Sequence, residues 1–129
     1  ISQYGAAIRY AKELADEHDL LIPCFGHAGD GNVHYSVLVD EDDPDAVDRG
    51  EAAYRQIVEF AIDRGGTCTG EHGIGMGKRE FLVREHGEAT VEAMRKVKRA
   101  LDPTDTLNPG KIFPETAQGE RVQAEPTDD

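Results

Sequence analysis

Apolar residues recur at helical spacing across residues 2–18, where Tyr4, Ile8, Ala11, Leu14 and Ala15 predict an amphipathic helix. The period then changes from helical to alternating. Val33, Tyr35, Val37 and Val39 alternate with His34, Ser36 and Leu38, which predicts a strand with one face on the core. With the stretch before it, this strand predicts a hairpin over 20–28 and 33–39. Helical spacing returns in Val47, Tyr54, Ile57, Val58, Ala61 and Ile62. Asp43 suits the N-cap of that helix, Pro44 its first turn, and Gly65-Gly66 a left-handed C-terminal cap. Thr67-Cys68-Thr69 reads as a short strand, and Gly70 to Gly77 as a glycine-rich loop. A helix follows around Arg79–Glu85. Another runs from Glu88 to Leu101, with Val91, Met94, Val97 and Leu101 on one face, and Pro103 stops it. The order predicts an α+β fold, an antiparallel sheet with helices packed on one side. Residues 1–114 form the expected domain, and 115–129 an acidic, disordered tail.

Charge changes this picture by exclusion. The chain has 129 residues, enough for one domain with a modest core, and a formal net charge of -12. Such an acidic chain is a poor ligand for nucleic acid or anionic membranes, which need Lys and Arg against phosphate. The 14 basic residues, five of them lysines, predict adaptation to high salt. Equal stability in dilute buffer and molar salt would count against that. No apolar run is long enough to span a membrane. No signal peptide opens the chain, and two cysteines make no disulfide scaffold, so a reducing, cytoplasmic setting is expected. Ile1 stands where an initiator Met would be, and the chain is expected to be a fragment of a longer one.

Two stretches carry chemistry. The first is Gly26-His27-Ala28-Gly29-Asp30-Gly31-Asn32-Val33-His34. Asp-Gly between strand-like residues is a strong hairpin signal. With Asp30 and Gly31 as the two central turn residues, His27 faces His34, Ala28 faces Val33 and Gly29 faces Asn32. Two imidazoles so placed can converge on one metal ion, or form an ordinary cross-strand pair. Asn32 points to the same face as His34.

The second stretch is Gly70-Glu71-His72-Gly73-Ile74-Gly75. A carboxylate beside a histidine between glycines is a poor core element and a natural site. His27, His34 and Glu71 make a two-histidine, one-carboxylate set. Three protein ligands leave a position for water or substrate, in a site suited to zinc, manganese or ferrous iron. His72 is then free as a general base, since histidine's ordinary pKa, about 6.5, suits proton transfer near neutrality. Cys24 lies three residues from His27 and faces the other way on a strand, which argues for a core thiol; Cys68 reads as a buried structural thiol. Asp30 reads as a turn former. Gly73 to Lys78 lacks the phosphate-loop pattern. Arg95-Lys96-Lys98-Arg99 reads as a solvated face complementing a helix dipole.

Together with Leu101-Asp102-Pro103 and Leu107-Asn108-Pro109-Gly110-Lys111-Ile112, these stretches resemble the three blocks closing the C-terminal domain of FAD-linked oxidases. That group includes D-lactate dehydrogenase, D-2-hydroxyglutarate dehydrogenase and the D subunit of glycolate oxidase. The resemblance runs from about Leu20 to Phe113. It implies a partial ferredoxin-like substrate domain. It also implies an FAD-binding domain of the vanillyl-alcohol oxidase type, N-terminal on the same polypeptide. The implied reaction oxidises a small D-2-hydroxy acid to a 2-keto acid, with hydride transfer to FAD. The resemblance further implies a divalent ion, commonly zinc, on His27, His34 and Glu71, and His72 as the base. Asn32 would contact substrate and Asn108 would lie near the flavin. The hydride acceptor's domain and the upstream half of the substrate domain are missing from these residues, so the isolated chain is expected to lack dehydrogenase activity. Two other readings compete: a free-standing zinc hydrolase on the same His, His and Glu, and a non-catalytic interaction module.

Overall fold

A computed structural model describes residues 1–115 of the chain. It divides into two compact units, the first over Ile1–Gly73 and the second beginning at Ile74. The expected tail, apart from Glu115, lies outside the described residues.

The first unit contains helix α1 (Tyr4–Glu17), strands β1 (Cys24–His27) and β2 (Asn32–Tyr35), and helix α2 (Pro44–Asp63). Its α-β-β-α order is that of the middle four elements of a ferredoxin-like series. Ala11 and Leu14 of α1 pack with Ile22 and with Ala53 and Ile57 of α2. Burying Leu14, only 1% exposed, contributes roughly 1.5–3 kcal/mol. The buried ridge of α2 starts with small residues, Ala46, Gly50 and Ala53, before Ile57 and Val58. The periodicity of large residues pointed instead to Val47 and Tyr54. Small side chains let helix and sheet approach closely, which a reading weighted by hydrophobic bulk misses.

Asp43 caps α2 as expected, its carboxylate accepting from the Asp45 amide at 3.0 Å, with Pro44 opening the helix. At the other end the Gly65 and Gly66 amides donate to the Ile62 and Ala61 carbonyls.

The hairpin is antiparallel, but its register is not the predicted one. Cys24 pairs with Tyr35, Phe25 with His34, Gly26 with Val33, and His27 with Asn32. The loop therefore has four residues, Ala28 to Gly31, rather than two. A two-residue turn of the expected kind needs φ > 0 at both centres. Only Gly31 takes it, at φ +74, while the Asp30 amide closes a turn onto the His27 carbonyl at 3.0 Å. The strands are also shorter than predicted. Beyond Cys24 the ladder gives way to a single bridge, Leu21 to Leu38, because Pro23 has no amide to donate.

The register differs by two residues, an even number, so every side chain keeps its face. Cys24 and Tyr35 turn to the core, where burial pushes the Tyr35 hydroxyl up to about 12 and raises the Cys24 thiol. On that face the Cys24 thiol points away from the imidazoles. Phe25, His27, Asn32 and His34 share the opposite face.

Thr67 to Thr69 is not a strand. The Thr69 amide donates to Thr67 Oγ1 at 3.4 Å, and that hydroxyl reaches the Thr69 carbonyl at 3.2 Å. Such local bonds compete with a ladder. Cys68 is buried at 5% exposure, as expected of a structural thiol.

The second unit has a 3₁₀ turn (Arg79–Phe81), α3 (Leu82–His86) and α4 (Glu88–Leu101), with α3 and α4 meeting at Gly87. Of the apolar stripe predicted on α4, only Val91 is buried, and Met94, Val97 and Leu101 stay exposed. The unit's few described residues cannot cover the whole stripe.

Beyond Pro103 the chain turns through a loop held by Asp102. Its carboxylate takes the Lys98 ammonium and the amides of Thr106 and Leu107, both at 2.9 Å. Lys98 also donates to the Leu107 carbonyl at 2.8 Å. The Lys98 ammonium and these amides hold the Asp102 carboxyl below its usual range, and Asp102 in turn raises Lys98. Arg95 reaches the Pro114 carbonyl and lies 5.0 Å from the Phe113 ring. Arg95 and Lys98, expected on a solvated face, thus tie down the closing segment. Among the described residues no helix is long and apolar enough to cross a membrane.

Candidate metal centre

The outward face of the hairpin meets the loop that follows Cys68. Thr69 Oγ1 donates to the Gly73 carbonyl at 3.0 Å, closing a short loop around Glu71 and His72. Glu71 Oε1 then stands 3.0 Å from His34 Nε2, 3.6 Å from His27 Nε2 and 3.5 Å from His72 Nε2. One ligand atom each from His27, His34 and Glu71 lies within 4.8 Å of the other two. Ligands bound at 2.0–2.1 Å in a tetrahedron lie about 3.3 Å apart. The two Glu71 distances fall on either side of that edge, and the third edge, between the imidazoles, is at most 4.8 Å, so the donor types and their closeness are compatible with a divalent ion. His72 stays outside this mutually close set.

The register brings the two histidines together diagonally rather than face to face. His27 stands opposite Asn32, and His34 opposite Phe25. The imidazole rings of His27 and His34 are 5.4 Å apart and nearly perpendicular, at 85°. Their closeness survives the register change because diagonal neighbours on one face remain within reach of long side chains.

Exposure sorts the four groups. The His34 side chain is 18% exposed, against 56% for His27, 45% for Glu71 and 76% for His72. The His34 ring is the inner group of the cluster, and His72 is the most exposed. The rings of His34 and His72 are 5.2 Å apart.

Asn32 lies against the same loop. A Cβ added to Gly70 would fall 2.3 Å from Asn32 Oδ1, so glycine at 70 makes room for this carboxamide. Asn108 belongs to the second unit, in a left-handed conformation at φ +48.

The sequence reading thus named five residues that the first unit gathers in one place: His27, Asn32, His34, Glu71 and His72. It missed Phe25, whose ring is 5.0 Å from that of His34. The signal was present, since Phe25 is two residues before His27 and shares its face. It also missed the loop closure by Thr69, which a strand assignment concealed.

Comparison with known proteins places this geometry in a family. Residues 1–112 match the model for the C-terminal domain of FAD linked oxidases. The chain is 46% identical over 113 residues to a mitochondrial D-lactate dehydrogenase [cytochrome] of Kluyveromyces lactis, covering 88% of this chain and 19% of that protein. It is 40% identical over 124 residues to glycolate oxidase subunit GlcD of Bacillus subtilis, covering 96% of this chain and 26% of that protein. With D-2-hydroxyglutarate dehydrogenase of Stutzerimonas stutzeri the identity is 35% over 121 residues, covering 88% of this chain and 25% of that protein. The chain spans about a fifth to a quarter of the length of these relatives. On the match across residues 1–112, the chain belongs to the family of FAD linked oxidase C-terminal domains.

Proposed function

We propose that residues 1–114 are the substrate and metal domain of an FAD-dependent D-2-hydroxy acid dehydrogenase, of the lactate, glycolate or 2-hydroxyglutarate class. The observation that carries this reading is the convergence of His27, His34 and Glu71, with His72 beside them and outside the ligand set. Relatives bearing the three dehydrogenase and oxidase names support the substrate class. Of the three readings the sequence allowed, family membership favours this one over a free-standing hydrolase or an interaction module.

His27, His34 and Glu71 would hold a divalent ion, zinc being the natural choice for two imidazoles and one carboxylate. When bound, such an ion supplies Lewis-acid polarisation of the substrate hydroxyl and carboxylate. FAD, which an N-terminal domain of the same polypeptide would mainly hold, would supply the hydride acceptor. This chain's residues do the rest. Asn32, held against Gly70, offers a carboxamide to the substrate on the ligand face. His72 accepts the hydroxyl proton on Nε2 as the α-hydrogen leaves with its electron pair and the carbon becomes a ketone. Asn108, in the closing Leu107-Asn108-Pro109-Gly110-Lys111 block, would face the flavin. A content of only two cysteines is in keeping with a cytoplasmic setting, and the net charge of -12 with a high-salt one.

The visible spectrum and mass of the full-length gene product test this. The expected result is a flavin spectrum on a chain much longer than 129 residues, with dye reduction by a small D-2-hydroxy acid. Residues 1–129 alone are expected to turn over no D-lactate. A colourless full-length product, or turnover by the isolated chain without flavin, would overturn the proposal.

A further inference from the structure

We infer that Phe25 is a positioning residue, whose ring packs on that of His34 and holds the imidazole with Nε2 aimed at the ligand set. This rests on the proposed metal site. Phe25 is directly paired with His34 across the hairpin, and the rings lie 5.0 Å apart at 31°. Core packing does not explain the residue, because Phe25 is 63% exposed on the outward face. A lone exposed apolar residue is ordinary. This one lies over the most sheltered group of the cluster.

The restraint matters because His34 is the most sheltered group of the cluster, at 18% exposure. A metal-binding histidine ordinarily fixes its ring through the second nitrogen, on a carboxylate, a backbone carbonyl or a water. Among the described residues, His34 Nε2 stands 3.0 Å from Glu71 Oε1, which holds one edge of the ring. Ring contacts act beside that bond on its rotation about χ2. His27 meets the His34 ring edge-on at 85°, whereas Phe25 and His72 both meet it at 31°. His72 is the more exposed of these two neighbours and is assigned to proton transfer. Phe25 is the group free to act as a fixed wall.

The test uses the full-length protein with Phe25→Ala, Phe25→Leu and Phe25→Tyr. Zinc affinity is read by competition with a chromogenic chelator, and ligand geometry by the visible spectrum of bound cobalt(II). Outer partners of metal ligands typically contribute 10–100-fold to affinity. Phe25→Ala and Phe25→Leu are expected to weaken zinc by about that range and to alter the cobalt bands. Phe25→Tyr, which keeps the ring, is expected to match the unaltered protein in both. Phe25→Leu with unaltered affinity and cobalt spectrum would overturn the inference, as would Phe25→Tyr as weak as Phe25→Leu. Should Phe25→Ala fail to fold, Phe25→Leu decides, since it keeps apolar bulk without a ring. Failure of the unaltered protein to bind either metal would instead overturn the metal site itself.

Discussion

Glu71→Gln in the full-length protein is expected to lose bound metal and turnover together. Glu71 is the anionic member of a set otherwise made of neutral imidazoles, and Oε1 stands 3.0 Å from His34 and 3.6 Å from His27. An amide keeps the shape but removes the charge that favours a divalent cation over water. Affinity should fall by more than the 10–100-fold typical of an outer partner, because a ligand itself is changed. His34→Ala should behave alike. It removes a nitrogen ligand from the most sheltered position and leaves two donors where three are needed. Elemental analysis after dialysis and dye reduction with substrate read the two quantities separately. Full metal content in both variants, with turnover gone, would move the ion away from these residues.

The second large effect separates chemistry from binding. His72→Ala is expected to keep the metal and lose turnover by roughly 10²–10⁴-fold, the range for removal of a general base. The side chain is 76% exposed and lies 3.5 Å from Glu71, close enough to act beside the ligand set without belonging to it. Its removal leaves the His27, His34 and Glu71 distances to other parts of the fold, so metal content should not move. Loss of metal in His72→Ala would instead make His72 a ligand and free one of the others for the proton. Together these variants assign Glu71, His34 and His72.

Much of the scaffold was legible because it is locally encoded. The stripe of α1, the Asp43 and Pro44 start of α2, its Gly65-Gly66 end, and α4 up to Pro103 each depend on residues within a few positions. What stayed hidden depends on distant partners. The roles of Arg95 and Lys98 are fixed by where the chain returns after Pro103, and no periodicity on α4 records that. Thr67 to Thr69 looks like a strand by composition, yet its hydroxyl takes up the backbone amide locally. The nearness of His27 and His34 was legible for a partly mistaken reason. Opposition across a two-residue turn was expected, and diagonal proximity across a four-residue loop was found. That Glu71 and His72 join them came from chemical plausibility and family resemblance, since no spacing rule links residue 34 to residue 71.

The four-residue loop between His27 and Asn32 leaves a mark on how this hairpin can vary through descent. A pleated ribbon counts its faces in twos, so gain or loss of a residue pair in the loop keeps both imidazoles outward. A single-residue change, taken up as a slip of one strand, would turn that strand's imidazole to the core face and strand the other. Strand slips compatible with the ligand pair therefore come in steps of two, and an odd residue has to be absorbed by the loop itself or by a bulge.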